Sequence, residues 1–135
     1  GYGKEENNDG VTVNVEDEEF KTAFVTYATG PVTVGYQRSS ANHGSTANEA
    51  DQDIDIYGIS FNVNENFAVS ATQLKRESET VGSTAGVEEK ATGFGASYTM
   101  GSASIRLQQT DVDNPGLDAG AKDEEFTEIS LMLAF

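Results

Sequence analysis

The sequence predicts an all-β fold: an antiparallel up-and-down sheet of about seven strands plus a stub, of the kind that closes into a transmembrane β-barrel. Three observations support this. Apolar and polar residues alternate along the strands, tight and long connections alternate between them, and an alternating strand ends on Phe135. No apolar run approaches the ~18 residues of a membrane helix. We interpret residues 1–135 as a single structural unit.

Alternation with a period of two residues locates the strands. In one clear example, Ile105 and Leu107 alternate with Ser104, Arg106 and Gln108. The predicted strands lie near residues 19–29, 31–39, 52–62, 66–76, 89–99, 102–111 and 124–135. The first of them can be assigned to its two faces in either register.

The connections between the predicted strands alternate strictly in length. Three are tight, at Gly30-Pro31, Asn64-Glu65 and Gly101. The other three are long, polar and acidic, at about 40–51, 77–88 and 112–123. Short turns at one end and long loops at the other are typical of bacterial outer-membrane barrels, whereas a soluble sandwich has no reason to sort its loops by end.

The number of strands bears on the N-terminal residues. Single-chain bacterial barrels have an even number of strands, with both termini on the periplasmic side. Seven strands that end there would begin outside, in the acidic segment 1–18. We interpret this segment as an outer loop, with Gly1–Lys4 as the top of an eighth strand. The chain is therefore expected to be the C-terminal part of a larger barrel.

Composition excludes several classes of protein. Apolar residues make up 36% of the chain and the net charge is −15, values that also occur in disordered proteins. Regular blocks of Val, Ile, Phe, Tyr and Thr argue against disorder. A pI near 4.1 argues against nucleic-acid binding, which needs a basic face. Because cysteine is absent, disulfides and cysteine-based metal sites are excluded.

The chain resembles the general porins of Gram-negative bacteria, particularly the alphaproteobacterial (Rhodobacter-type) ones. The resemblance rests on the segment 32–36 (VTVGY), the Asn64–Asn66 turn, the strands rich in small residues, and the terminal Phe135. It spans essentially the whole sequence. It implies a trimer of 16-stranded barrels that lets small hydrophilic solutes and ions diffuse through the outer membrane. Residues 1–135 would be roughly the C-terminal half of one barrel.

The resemblance also implies partners for the chain. In outer-membrane barrel proteins the terminal strand lies at the periplasmic side and is read by the barrel assembly machinery. Phe135, Leu133 and Leu131 would supply that signal here. Outer-membrane lipid, lipopolysaccharide and two further copies of the chain are the other expected partners.

Candidate pore-lining residues follow from alternation. Arg106 lies between Ile105 and Leu107 and should face away from lipid, together with Ser104 and Gln108. In the last strand, Glu128 and Ser130 should face the same way. If the connection between these strands is symmetric, Glu128 lies about level with Arg106, and an ion pair is expected. Such a pair either sets ion selectivity or serves only as a structural salt bridge.

The sequence gives no sign of catalysis or of a required cofactor. His43, the single histidine, lies two residues before Ser45 in a polar loop without an orienting partner, so we expect no enzyme activity. We expect no dedicated metal site. The acidic outer loops are read first as solvated surface, and Ca²⁺ or Mg²⁺ bridging is the alternative.

Two other functions remain open from the sequence. One is a small eight-stranded outer-membrane barrel that acts as an anchor or adhesin. Such a barrel must fill its interior with side chains, and the many Gly and Ser residues argue against it. The other is a soluble extracellular β-sandwich that binds a partner. Solubility without detergent would distinguish the sandwich from both barrels.

Overall fold

A computed structural model describes residues 2–5, 18–42, 51–78 and 86–134. These residues form one antiparallel sheet of eight strands in chain order, each hydrogen-bonded to the next. The strands are β1 (Tyr2–Glu5), β2 (Glu18–Thr29), β3 (Val32–Asn42), β4 (Gln52–Asn62), β5 (Phe67–Ser78), β6 (Glu88–Met100), β7 (Ala103–Asp113) and β8 (Glu124–Leu133). The predicted all-β, up-and-down fold with seven full strands is confirmed.

The sheet is open, with β1 at one edge and β8 at the other. Helical structure in the described part of the chain amounts to one 3₁₀ turn, Pro115–Leu117. None of its helices has the length and apolar character needed to cross a membrane. Residues 1 and 6–17 of the predicted outer segment 1–18 lie outside the described residues, as do most of the next two long connections, His43 and Phe135.

Three strands run further into the long connections than alternation indicated. β3 continues to Asn42, β5 to Ser78 and β7 to Asp113, two or three residues past the predicted ends. The reason is that the backbone ladder does not depend on apolar side chains. Glu19, for example, pairs with Asn42 at the polar end of the β2–β3 hairpin. The hydrogen-bonded strands therefore extend beyond the segments in which apolar and polar residues alternate.

The tight turns depend on glycine and asparagine. Gly30 and Gly101 each open a two-residue loop with a positive φ, of 55° and 61°. Glycine adopts this conformation without the steric cost that a Cβ would bring, and it is preferred at the first position of such hairpin loops. In the third turn, Asn64 Oδ1 accepts hydrogen bonds from the backbone N–H groups of Asn66 and Phe67, both at 2.9 Å.

The strand register assigns every side chain to one of two faces, because directly opposed residues in an antiparallel pair point to the same side. One face carries Ile105 and its cross-strand partners Tyr98 and Leu131. We call it the band face. The other carries Arg106 and its partners Ser97 and Ser130, and we call it the small-residue face. The register also settles β2, where Val25 and Tyr27 lie on the band face and Phe20 and Phe24 on the small-residue face.

This single layer has no core of its own. No side chain in the described part of the chain is buried, and large apolar residues stay open, such as Ile129 at 73% and Leu131 at 63% exposure. With the exceptions of Phe20, Phe24, Phe126 and Met132, the exposed large apolar side chains lie on the band face. Soluble monomeric proteins rarely expose a contiguous apolar patch of this kind.

The positive φ of Gly101 leads to a stability prediction. Gly101→Ala should lower the free energy of unfolding by about 1 kcal/mol, because a Cβ disfavours the left-handed region. Denaturant titration measures the change. Gly58→Ala is the matched control, since Gly58 has no positive φ and a Cβ there would meet open space. Equal effects of the two substitutions would contradict the role given to the turn.

Candidate functional site

The band face is divided along the length of its strands. In β4, Tyr57, Ile59 and Phe61 occupy the half nearest the tight turns, and Asp53 and Asp55 occupy the half nearest the long connections. The other full strands show the same order. The apolar half is formed by Val25 and Tyr27, Val32 to Tyr36, Tyr57 to Val63, Phe67 to Ala71, Phe94 to Met100, Ala103 to Leu107 and Ile129 to Leu133, at every second residue. We call this half the apolar band.

The margin of the apolar band nearest the long connections, which we call the upper margin, changes its level from strand to strand. In β4 the apolar residue nearest the long connections is Tyr57. The directly opposed residues of the following strands form a row with Tyr57, and this row contains Asp111 in β7 and Glu125 in β8. In β8 the last apolar residue is Ile129, whose row passes through Phe61. From β4 to β8 the margin therefore shifts by four residues over four strands, or one residue per strand, whereas from β2 to β4 it is level, because Val25, Tyr36 and Tyr57 share one row.

The tight turns step in the same direction. The first closes at Thr29 and Val32, in the row of Phe61 and Val69. The second closes two residues further on, where the Val63 N–H donates to the Phe67 carbonyl. The third closes at the pair Met100–Ala103, two residues further again. Because both margins shift in the same direction, the apolar band keeps a height of three or four outward side chains from β3 to β8, and in β2 it has two, Val25 and Tyr27.

The step from β4 to β8 has a geometric meaning. One residue of strand rises ~3.3 Å and neighbouring strands lie ~4.8 Å apart, so one residue per strand corresponds to an inclination of about 35°. If the strands incline by that angle, both margins of the apolar band become level. Strands in outer-membrane barrels tilt by ~35–45°.

Aromatic and charged side chains meet at the upper margin. The rings of Tyr36 and Tyr57 are tilted against each other, with centroids 5.1 Å apart. Tyr36 donates a hydrogen bond to Asp55 at 2.5 Å, and Arg38 pairs with Asp53 at 2.9 Å. The sheet thus passes within two residues from apolar surface to paired charges, which is typical of an interface between lipid and water.

All five predicted pore-lining residues share the small-residue face. Arg106 lies opposite Ser130, Gln108 opposite Glu128, and Ser104 opposite Met132. On the other side of β7, Arg106 lies opposite Ser97. The facing derived from alternation therefore agrees with the register, and the face forms a polar strip along β7 and β8.

The expected ion pair between Arg106 and Glu128 is wrong. The register places Glu128 opposite Gln108, two residues from the level of Arg106. The guanidinium of Arg106 donates instead to Gln108 Oε1 at 3.1 Å, and Gln108 reaches Thr110 at 3.5 Å. The pairing of β7 with β8 fixes the level of each residue, and alternation alone does not determine it.

Arg106 borders a trough on the small-residue face. The trough has a volume of about 350 Å³, and its lining includes Ser60, Ser70, Gly95 and Ser97. Its floor is low because these side chains are small. A Cβ on Gly95 would come within 2.7 Å of the Ser70 hydroxyl, so the two residues are fitted to each other. This part of the face leaves space for water or solute beside a permanent positive charge.

The half of the small-residue face nearest the long connections was not predicted from the sequence. Near the long connections, Ile56, Leu74 and Val112 share a row. Next to it, Arg76 and Glu89 form an ion pair at 2.7 Å. Lys75 and Arg76 are adjacent, as are Glu88 and Glu89, so alternation gave no indication of which member of each pair faces which way.

Other predicted residues are placed as follows. Leu131 and Leu133 lie on the band face, opposite Ile105 and Ala103. In the described ranges no group of three or more His, Asp or Glu side chains is arranged to hold a metal ion. Comparison of the chain with protein-family models, with curated proteins and with solved structures finds no match in any of the three.

The tyrosine pair leads to a second stability prediction. Tyr36→Phe should destabilise the sheet because it removes the hydrogen bond to Asp55 and keeps the ring contact. Tyr57→Phe is the matched control, because it alters the same ring pair without removing a bond between described residues. The two midpoints of unfolding give the comparison. A larger loss for the Tyr57 variant would contradict the importance of the bond to Asp55.

Proposed function

We propose that this chain is part of an outer-membrane porin, through which small hydrophilic solutes and ions diffuse passively. The observation that carries the proposal is the stepped apolar band, whose two margins become level at the strand inclination of a barrel. The proposal rests on the sheet itself, because no comparison with known proteins supplies it.

The height of the apolar band is comparable to that of a lipid-facing band. Four outward positions spaced by ~6.8 Å span about 20 Å of strand from the first Cα to the last, which an inclination of ~35° reduces to about 17 Å of height, before the side chains at the two margins are counted. The lipid-facing band of outer-membrane barrels is ~25 Å tall. Lipid on this face would cover the apolar side chains that the sheet leaves open, and the paired charges above them would lie at the headgroups.

The open edges of the sheet argue for further strands. Within lipid all backbone N–H and C=O groups must be paired, so a spanning sheet has to close. In the described residues β1 and β8 are the edges of an open sheet. The proposal is therefore that this chain forms roughly the C-terminal half of a 16-stranded barrel, with its long connections outside.

In this arrangement the small-residue face lines the water-filled channel. Ser104, Arg106 and Gln108 on β7, with Glu128 and Ser130 on β8, would form part of its wall. Fixed charges and width determine which solutes pass such a channel. No chemical step is involved, so the function needs neither a catalytic residue nor a cofactor.

Lipid and assembly partners follow from the proposed location. The bacterial outer membrane would supply lipid and lipopolysaccharide around the apolar band, and two further copies would complete a trimer. The terminal strand, with Leu131 and Leu133 turned to lipid, would be the segment read by the barrel assembly machinery.

An eight-stranded anchor or adhesin is the second candidate, since the sheet has eight strands. A barrel of that size is filled by its own side chains. In the half nearest the tight turns the small-residue face carries Gly35 opposite Gly58, with Gly93 and Gly95 nearby, so little would fill that half. A soluble sandwich is less well supported, because the described residues form one layer with no side chain buried between sheets.

Adjacent residues on opposite faces provide a direct test of membrane insertion. Ile105→Lys should prevent assembly in the outer membrane, because a cation on the lipid face costs ~2–4 kcal/mol near the midplane. Ser104→Lys, at the same height on the channel face, should assemble as the unaltered protein does. The amount of folded protein recovered from outer membranes measures both. Equal tolerance of the two lysines would exclude a lipid-facing band.

Arg106 provides a test of the channel. Arg106→Ala should shift ion selectivity toward cations, since it removes a positive charge from a wall that also carries Glu128. The measurement is the reversal potential of the full-length protein in planar bilayers under a salt gradient. Gln109→Ala, on the band face of the same strand, is the control and should leave the selectivity unchanged. An unaltered reversal potential for the Arg106 variant would mean that this arginine is only structural.

A further inference from the structure

The connection between β7 and β8 does not extend away from the sheet. Its 3₁₀ turn, Pro115–Leu117, lies against β6 and also against β5, two strands away from β7. Leu117 is partly shielded, although it belongs to a long polar connection. The segment 114–118 therefore bends back over the sheet on the side of β5 and β6.

Two hydrogen bonds hold this segment. The Gly116 N–H donates to Glu89 Oε2, and the Asn114 side-chain amide donates to the Glu88 carbonyl at 3.0 Å. Glu89 is on the small-residue face, opposite Arg76 in the ladder. Because the carboxylate of Glu89 is the acceptor, the segment is held over that face.

The Glu89 carboxylate, which we call the anchor, is well shielded from solvent. Glu89 also pairs with Arg76 at 2.7 Å, and the two side chains are only 14% and 29% exposed. Of the ion pairs between described residues, this one is the least exposed. It lies beside the apolar row of Leu74 and Val112, where charge interactions are stronger than in water. One carboxylate oxygen thus joins β5, β6 and the connection.

The backbone of the segment depends on its contacts. Asn114, Gly116 and Leu117 have φ values of 50°, 73° and 59°. The left-handed region is unfavourable for leucine, and such residues persist where surrounding structure fixes them. We therefore expect the segment to rearrange when its anchor is removed.

We propose that Glu89 is a positioning residue that holds 114–118 over the channel face, so that this connection narrows the pore entrance and sets the size limit for solutes. The inference rests on the proposed porin function. Glu89 acts through the Gly116 N–H and does not itself contact solute in this assignment. Its carboxylate is needed both as an acceptor and as the partner of Arg76.

The test uses the full-length protein reconstituted in liposomes and in planar bilayers. Glu89→Ala should raise the uptake of trisaccharides relative to monosaccharides and increase single-channel conductance, and Glu89→Gln should have a smaller effect. Glu88→Gln is the matched control. It removes a neighbouring carboxylate on the band face, paired with Lys75 at 3.5 Å, and leaves the backbone carbonyl that binds Asn114.

A second measurement reads the anchor directly. Hydrogen exchange of the peptide that contains 114–118 should become about tenfold faster in Glu89→Ala, as expected when a charge-assisted bond is lost, and stay unchanged in Glu88→Gln. If the unaltered protein forms no channel, the porin function fails. If it forms a channel and Glu89→Ala keeps both the size limit and the exchange rate of Glu88→Gln, the positioning role alone is overturned.

Discussion

The register of the backbone hydrogen bonds is the constraint on which the other features depend. In an antiparallel ladder each residue has one directly opposed partner, so the pairing of two strands fixes both the face and the level of their side chains. Seven such pairings run in series from β1 to β8. A slip of one residue in any of them would exchange the faces of all later strands. The continuous apolar band shows that the faces remain in phase across the sheet.

The two faces of the sheet favour different surroundings. Apolar side chains on the band face are exposed. Covering them with apolar surroundings would lower the free energy by ~25 cal/mol per Å² of apolar surface removed from water. Glycine, serine and threonine dominate the other face near the turns, so a second layer would find little to pack against. The same strands therefore favour contact with an apolar environment on one side and with water on the other. Charged pairs such as Arg38–Asp53 limit the height to which the first environment extends.

Much of the fold was predictable because strands and tight turns are local. The strands, their order, the Gly30 and Gly101 turns and the facing of Arg106 all follow from spacing within short segments. The missing pair of Arg106 and Glu128 does not, because level depends on how β7 pairs with β8 and not on either strand alone. Likewise, neighbouring acids at 88 and 89 look alike in sequence. Only the backbone path of β6 turns Glu88 toward Lys75 and Glu89 toward Arg76 and Gly116.

The step of one residue per strand has a consequence for how such a protein can change in length. A hairpin that is inserted whole, with its tight turn and one long connection, brings its own two-residue step and leaves the facing of every later strand intact. Insertion of a single strand, or of a single extra residue within a strand, neither brings a two-residue step nor leaves the facing of later strands intact. Hairpins are thus the units that duplication or deletion can add or remove without disturbing the rest. Sheets of this type should vary in strand number by steps of two, while the long connections vary freely in length.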